Sequence, residues 1–495
     1  MRVTSTMMTN NALINMARNK ETYDKYLQQY STQKKIQRPS DDPVVAVRSL
    51  KYRTRLSELE QYLYKNVPDA VSWTSATEKN LTDINKVLTT MYDYCEQAAN
   101  GTLAEDDKAK IVSTLTEYKG YIYEQNANYD NTGRYLFTGY RTDVPLLFDS
   151  DQTNTTYQIT EKLSATDIKS FSYVYGGAEY AAGTTASGYA QDAPEYLDTH
   201  RMTLSYKNMD ADQITFNYVD AAGAVQTLNV TTQRVQDDSV YNEHYKPGDD
   251  EAFFVPETGE IVFGDNVYAA VCESREITVE YKKTNFGEND IRPEHYFDCI
   301  ATNNDTGVVK NYQNPADQKM VYQINFSQTL TVNTLACESI DMGIGRSIED
   351  IVNIVNEMEQ TKSALADAEK RLSDCDASDT AGAAAYEQLI EQIENKLTLQ
   401  ETMLTNAFTN GMTVCKAGQD KLNVALADLG ARMNRLNSTQ AKLEELEISF
   451  TESLSENENV DLGEAYIRYN EADLLYQATL QATAKTLGNT LLDFI

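Results

Sequence analysis

Both ends of this 495-residue chain carry long segments in which apolar side chains recur every three or four residues. The first segment covers residues 5–35, and the last runs from about Asp461 to Leu492. Apolar residues at this spacing form a stripe along one face of an α-helix, and a stable helix needs a partner that covers the stripe. The two ends are therefore expected to meet as a pair of helices. No other feature of the sequence constrains the fold as much.

The stripes of the two terminal helices predict a specific alignment. The first stripe contains Leu13, Met16, Lys20, Tyr23, Leu27 and Tyr30, and the last contains Leu462, Tyr466, Tyr469, Asp473, Tyr476, Leu480 and Leu487. In an antiparallel pair, residue numbers that sum to about 493 set Tyr23 against Tyr469 and Lys20 against Asp473. Because an unpaired charge destabilises a buried stripe, we predict that Lys20 and Asp473 fix this register. The alternative is that each residue faces solvent or a neighbouring subunit.

Between Pro145 and about Gln328 the spacing of apolar residues changes to two. The alternating segments are Met202–Tyr206, Ile214–Tyr218, Val225–Val230 and Ile277–Tyr281. This alternation is typical of β-strands, and Asp220–Gly223 and Pro256–Gly259 have the composition of hairpin turns. The middle of the chain therefore predicts a β-rich insertion.

The segments that flank the insertion predict more helices. Pro68 lies inside a long helical run and is expected to kink or split it near Asn66. Heptad-like spacing resumes after the insertion at about Ile348. We therefore predict a mainly α-helical, multidomain (α+β) fold with an inserted β domain. Its expected parts are a terminal coiled-coil-like helical domain (1–40 with 455–495), a helical rod domain (41–148 with 329–454) and a β-rich outer part (149–328).

The charge distribution excludes some partners. The net charge is −32, which argues against nucleic acid and against an anionic membrane surface as ligands. No apolar run is long enough to span a bilayer, and the N-terminus has no apolar core of a signal peptide, so any export should need no cleaved signal. Residues 1–65 carry a net charge of +6 and residues 439–495 a net charge of −8, so the two ends could attract each other.

The sequence contains no pattern of residues that indicates catalysis. Its three histidines form no HExxH motif, and no phosphate-binding loop is present. We expect no catalytic residues, no cofactor and no metal site. The six cysteines form no CxxC pair and indicate no zinc or disulfide framework, and Cys95 and Cys375 are interpreted as small buried apolar residues.

Two short motifs stand out. The first is Arg38-Pro39-Ser40-Asp41-Asp42-Pro43, in which Asp42 is a favourable N-cap and Pro43 falls at the first helical position. The second is a glycine-bounded apolar segment that is expected to form a short strand, and it contains Gly133, Tyr135, Leu136, Phe137 and Gly139.

Both motifs resemble the bacterial flagellin superfamily, and within it the proteins of the hook–filament junction. The resemblance covers about residues 1–148 and 330–495. It implies an extracellular structural protein of the flagellum, with both motifs and the terminal stripes as assembly contacts. It also implies four partners: copies of the chain in a ring, flagellin, the other hook-associated junction protein and an export chaperone. The alternatives are flagellin itself or, in another class, a secreted coiled-coil adhesin or glycan-binding protein that uses the β insertion.

Overall fold

The computed structural model describes residues 5–100, 103, 105–176, 193–210, 214–234, 245–375 and 380–492. The chain divides into two units, each assembled from separate parts of the sequence. The terminal unit comprises Met1–Val71, Tyr322–Leu330 and Asn434–Ile495, and the central unit comprises Ser72–Val321 and Thr331–Met433. The expected division into three parts stays a prediction.

The helices in the described part of the chain follow the predicted periodicity. They are α1 (Ser5–Thr32), α2 (Pro43–Gln61), α3 (Val67–Ala99), α4 (Glu105–Gly120), α5 (Asp265–Cys272), α6 (Ala336–Ser339), α7 (Gly343–Ser373), α8 (Thr380–Glu458) and α9 (Leu462–Leu492). Cys375 lies beyond the end of α7 and is only half-buried, so its predicted place on an apolar helical position is wrong.

The predicted interruption near Asn66 is confirmed and has a specific form. A π-helical turn, Tyr62–Asn66, lies between α2 and α3 and immediately precedes the segment that contains Pro68. Proline has no N–H to give to the carbonyl four residues earlier, and one wide turn can absorb such a break while the chain continues as a helix.

The strands lie in the central part of the sequence, as predicted. They are β1 (Thr155–Leu163), β2 (Ile168–Tyr175), β3 (Glu195–Thr203), β4 (Thr215–Val219), β5 (Val225–Leu228), β6 (Thr231–Thr232), β7 (Ala252–Val255), β8 (Glu260–Phe263), β9 (Glu276–Lys283), β10 (Asp298–Asn303), β11 (Val309–Tyr312), β12 (Val321–Asn325) and β13 (Gln328–Thr331). Six strands form one sheet in the order β11-β10-β1-β9-β4-β5, and five form a second in the order β2-β3-β8-β7-β6.

The two larger sheets share one hydrophobic core. Ile159, Phe216 and Val279 come from the six-stranded sheet, and Phe254 and Ile261 come from the five-stranded sheet. Alternating residues of several strands enter this core, such as Ile277, Val279 and Tyr281 of β9, which is why the period of two predicted the insertion. Both predicted hairpins are confirmed, since residues 220–223 connect β4 to β5 and residues 256–259 connect β7 to β8. A mainly α-helical fold with an inserted β region is thus the observed fold class.

Candidate assembly surface on the terminal helices

Helices α1 and α9 pack against each other in antiparallel directions. Asn19 Nδ2 donates a hydrogen bond of 2.6 Å to Thr479 Oγ1. Tyr23 lies between Tyr469 and Tyr476, with its ring centroid 5.6 Å from each of theirs. Interaction with the Tyr469 side chain raises the pKa of Tyr23 to about 12. The predicted pairing of the two ends is confirmed, as is the contact of Tyr23 with Tyr469.

The predicted register is wrong. It would set Leu474 opposite Asn19, whereas Asn19 bonds to Thr479, five residues further along α9 and more than one helical turn away. Tyr30 contacts the rings of Tyr466 and Tyr469, which lie one and two helical turns beyond its predicted partner Leu462. Tyrosine rings are long enough to bridge neighbouring turns, so a stripe rich in tyrosine accepts several alignments.

The predicted ion pair of Lys20 and Asp473 does not form among the described residues. Lys20 is exposed, and the Asp473 carboxylate accepts a hydrogen bond from Gln477 on its own helix. Since Lys20 keeps its contact with water, it carries no penalty for a buried charge and cannot select the register. Asn19 occupies the polar position of the α1 stripe instead.

Much of the apolar surface of the terminal helices is left uncovered within the chain. Met16, Tyr23, Tyr469 and Tyr476 are half-buried. The remaining apolar members of the predicted stripes are exposed: Leu13, Leu27, Tyr30, Leu462, Tyr466 and Leu480. The side chain of Leu487 lies outside the described residues. Leu474 and Leu475, outside the predicted stripe, are 72% and 56% exposed, so α9 presents apolar surface on more than one face.

The Arg38–Pro43 loop adopts the predicted helix-entry geometry. The Asp42 carboxylate accepts hydrogen bonds from the N–H groups of Val44 and Val45 at 2.9 and 3.1 Å, and Pro43 occupies the first helical position. The Asp41 carboxylate accepts from the N–H groups of Arg38 and Gln37, and these bonds lower its pKa. Arg38, Pro39, Ser40, Asp41 and Pro43 are exposed. The loop is thus a shaped surface that remains accessible in the single chain.

Glu458 is a buried carboxylate that the sequence stripes did not identify. It forms ion pairs with Lys34 at 3.0 Å and with Arg53 at 2.7 Å. Burial acts to raise its pKa, but the hydrogen bonds from Arg53 and Lys34 outweigh burial and lower it. The backbone N–H of Lys35 also donates to the Glu458 carbonyl at 2.7 Å. We call Lys34, Arg53 and Glu458 the base junction. The opposite net charges of the two chain ends were the one sequence signal for it.

The second motif has a packing role within the central unit. Leu136, Phe137 and Gly139 are buried, and the segment forms turns and an isolated bridge between Asp130 and Tyr135, so the predicted strand is wrong. Gly139 has φ of +68°, and a Cβ there would lie 2.5 Å from a Gln318 side-chain oxygen. Only glycine satisfies both conditions. Gly133 has φ of +81°, with open space where a Cβ would lie. Of this motif, Gly133 alone is exposed and Tyr135 is half-buried.

A charged cluster in the central unit links the β region to α7. Arg201 on β3 forms ion pairs with Glu260 on β8 and, at 2.6 Å, with Asp350 on α7. Its guanidinium also lies 3.6 Å from the centre of the Phe171 ring. A cleft of about 650 Å³ opens beside the cluster. Because the charges of Arg201 and Asp350 are already paired, we interpret the cluster as a fixed link between the sheet and the helix.

Comparison with protein families matches both ends of the chain. Residues 3–142 match the bacterial flagellin N-terminal helical region, and residues 414–495 match the bacterial flagellin C-terminal helical region. Both ends of the chain are therefore similar to the terminal helical regions of bacterial flagellins. Among the helices of the described residues, none combines the length and apolar character needed to cross a membrane.

Particular relatives carry a more specific name. The chain is 27% identical over 144 residues to flagellar hook-associated protein 3 of Salmonella typhimurium and, over the same length, to that of Escherichia coli. Each match covers 29% of this chain and 45% of the relative, so the chain spans less than half of these relatives' length.

The solved structures that match the chain include two flagellar proteins. One is a putative flagellar hook-associated protein from Vibrio parahaemolyticus, with 13% identity, a TM-score of 0.36 and coverage of 85% of this chain and 100% of that one. The other is FlgL from Xanthomonas campestris, with 13% identity, a TM-score of 0.31 and coverage of 83% and 99%.

Proposed function

We propose that this chain is a structural subunit of the bacterial flagellum that self-assembles at the hook–filament junction, in the role of FlgL. The observation that carries the proposal is the uncovered apolar surface of α1 and α9, within the two regions that match the flagellin models. Apolar surface of this kind is stabilised when a neighbouring subunit removes it from water. Matches to proteins named flagellar hook-associated protein 3 support a position at the hook–filament junction over a position in the filament.

The mechanism in this proposal is assembly without catalysis. Subunits leave the cell after release from an export chaperone and join a ring through their terminal helices. One end of the ring contacts the other hook-associated junction protein, and the opposite end accepts flagellin. The exposed Arg38–Pro43 loop is available as a further contact, because its backbone is already fixed by Asp41 and Asp42.

Deletion of the gene tests the proposed position in the flagellum. We expect cells with hooks that lack filaments, together with flagellin in the culture medium, and recovery of filaments when the full chain is supplied. Normal filaments on the deleted strain would reject the junction role. Loss of the main extracellular flagellin itself would instead identify this chain as the filament subunit.

A pair of matched variants tests the surface that carries the proposal. Leu475→Glu places a charge at an apolar position that is 56% exposed, whereas Asn470→Glu places the same charge at an exposed polar position of the same helix. We expect the first to abolish filament recovery and the second to retain it, with both purified monomers folded. Equal recovery by the two variants would contradict assembly through this face. Binding of the full chain to a glycan array would favour the alternative of a secreted glycan-binding protein.

A further inference from the structure

Two of the six cysteines lie next to each other in the helical core of the central unit. Cys95 is near the end of α3, Cys415 is in α8, and both are buried, with 2% and 4% of their surface exposed. Interaction with the Cys415 side chain, together with burial, raises the pKa of the Cys95 thiol. The positions are 320 residues apart in sequence, so their spacing gave no indication of a pair.

A glycine allows the two helices to approach closely at this point. Gly411 lies one turn before Cys415, and a Cβ built there would be 3.3 Å from Cys95 Sγ and 3.4 Å from Ile351 Cδ1. A larger residue would push Cys95 away from α8. The same two helices also meet through a hydrogen bond of 2.8 Å from Gln419 to Thr89. Cys95 Sγ therefore lies against α8 within one helical turn of Cys415, at a contact between α3 and α8 that Gly411 and the bond from Gln419 to Thr89 help to form.

We propose that Cys95 and Cys415 form an intramolecular disulfide when the chain folds in an oxidising medium. The bond ties the N-terminal half of the helical core to the C-terminal half and encloses the β insertion. It goes beyond the proposed role in the flagellum and does not depend on it. The thiols are sealed from solvent once folding is complete, so the bond forms during folding, while an oxidant can still reach them.

The oxidant required is a small disulfide, such as oxidised glutathione. One cysteine thiolate attacks a glutathione sulfur, forms a mixed disulfide and releases one reduced glutathione. The second cysteine thiolate then attacks the protein sulfur of the mixed disulfide and releases the other. Two protein thiols lose two electrons and two protons in total, and one glutathione disulfide is reduced to two thiols.

Refolding of the full chain in a mixture of reduced and oxidised glutathione tests the proposal. We expect four titratable thiols in the denatured product, compared with six in the fully reduced chain. Trypsin digestion without reductant should give residues 87–108 linked to residues 397–416, and reduction should separate them. Because the closed loop is long, the oxidised chain should melt about 5 °C or more above the reduced chain.

Cysteine variants locate the bond. Cys95→Ala and Cys415→Ala should each lose the linked peptide, whereas Cys299→Ala removes another buried thiol and should keep it. The peptide map of the unmodified chain needs no variant to fold. Six free thiols after oxidative refolding, or a linked peptide that contains Cys272, Cys299, Cys337 or Cys375, would overturn the proposal.

Discussion

The helix pair α1–α9 and the helix pair α3–α8 share an apolar periodicity but differ in how their side chains are covered. Leu81 and Leu88 of α3 and Leu422 and Leu429 of α8 are at most 1% exposed. On α9 the buried apolar residues are small, such as Ala465 and Ala472, while large apolar side chains such as Leu474 and Leu475 remain exposed. The spacing of apolar residues in the sequence therefore shows which face of a helix is apolar. Only the packing shows whether the same chain covers that face.

The largest expected difference between the two pairs is in local stability. In a purified monomer, we expect protease to cut within α1 and α9 while α3 and α8 stay intact, because long helices with half-covered stripes unfold locally. Amide hydrogen exchange should be at least about 100-fold faster in α1 and α9. Equal protection of the two helix pairs from hydrogen exchange in a verified monomer would contradict the expected difference in local stability.

Truncation of one leucine in each helix pair should give different losses in the free energy of unfolding. Leu88→Ala removes a fully buried side chain and should lower the free energy of unfolding by about 2–5 kcal/mol. Leu475→Ala removes an exposed one and should change it by less than about 0.5 kcal/mol. Denaturant titration of both variants measures this, and a loss above about 2 kcal/mol for Leu475→Ala would mean that the monomer already covers this face of α9.

The base junction is a polar contact that contains the buried carboxylate of Glu458, so its removal should have an intermediate effect. Glu458→Gln should destabilise this unit by about 1–2 kcal/mol at pH 7, because Lys34 and Arg53 lose their charged acceptor. Glu456→Gln, at an exposed position two residues earlier, is the control and should be neutral. An equal loss of stability in Glu456→Gln would mean that the effect comes from the net charge of the chain and not from the ion pairs.

The pH dependence of this difference has a defined sign. The pKa of Glu458 is lower in the folded chain than in the unfolded chain. Its ion pairs therefore contribute fully above the unfolded pKa, and the contribution disappears as the pH falls through the folded pKa. The difference in unfolding free energy between the native chain and Glu458→Gln should be constant from pH 7 to about pH 5 and shrink below that. A difference that grows on acidification would contradict the lowered pKa.

The smallest effect on stability is expected at Asn19, the polar position of the α1 stripe. Asn19→Ala should cost about 0.5–1 kcal/mol through loss of its bond to Thr479, whereas Lys20→Ala should lie within about 0.5 kcal/mol of zero. Hydrogen exchange of α1 is the measurement, because a global melt would not resolve the difference. A larger loss from Lys20→Ala would restore a role for that residue in the register.

The sequence predicted the elements better than it predicted their contacts. Stripe spacing located the terminal helices, and alternation with turn residues located β4, β5 and β9, because these signals are local. The register of α1 with α9 failed because tyrosines at repeated positions allow several alignments. The prediction also assumed that Lys20 is buried, and burial depends on neighbours that lie over 400 residues away in sequence.

The candidate site shows the same limit. The cap at Asp42 was predictable, because its bonds reach only two and three residues along the chain. Glu458 was not, because its partners lie 405 and 424 residues earlier in sequence. The fold alone shows that the turn-rich segment around Phe137 is buried.

The two outermost strands of the six-stranded sheet, β5 and β11, limit unwanted association of the β region. Each is four residues long and mostly exposed, with Gln226 on one and Lys310 on the other. Long, flat, apolar sheet edges recruit strands from other molecules and lead to aggregation. A chain proposed to polymerise through its helices reaches high local concentration at the growing structure. Two short edges that carry polar residues make the six-stranded sheet a poor second route to polymer, so the helices remain the surface through which neighbouring molecules are proposed to join.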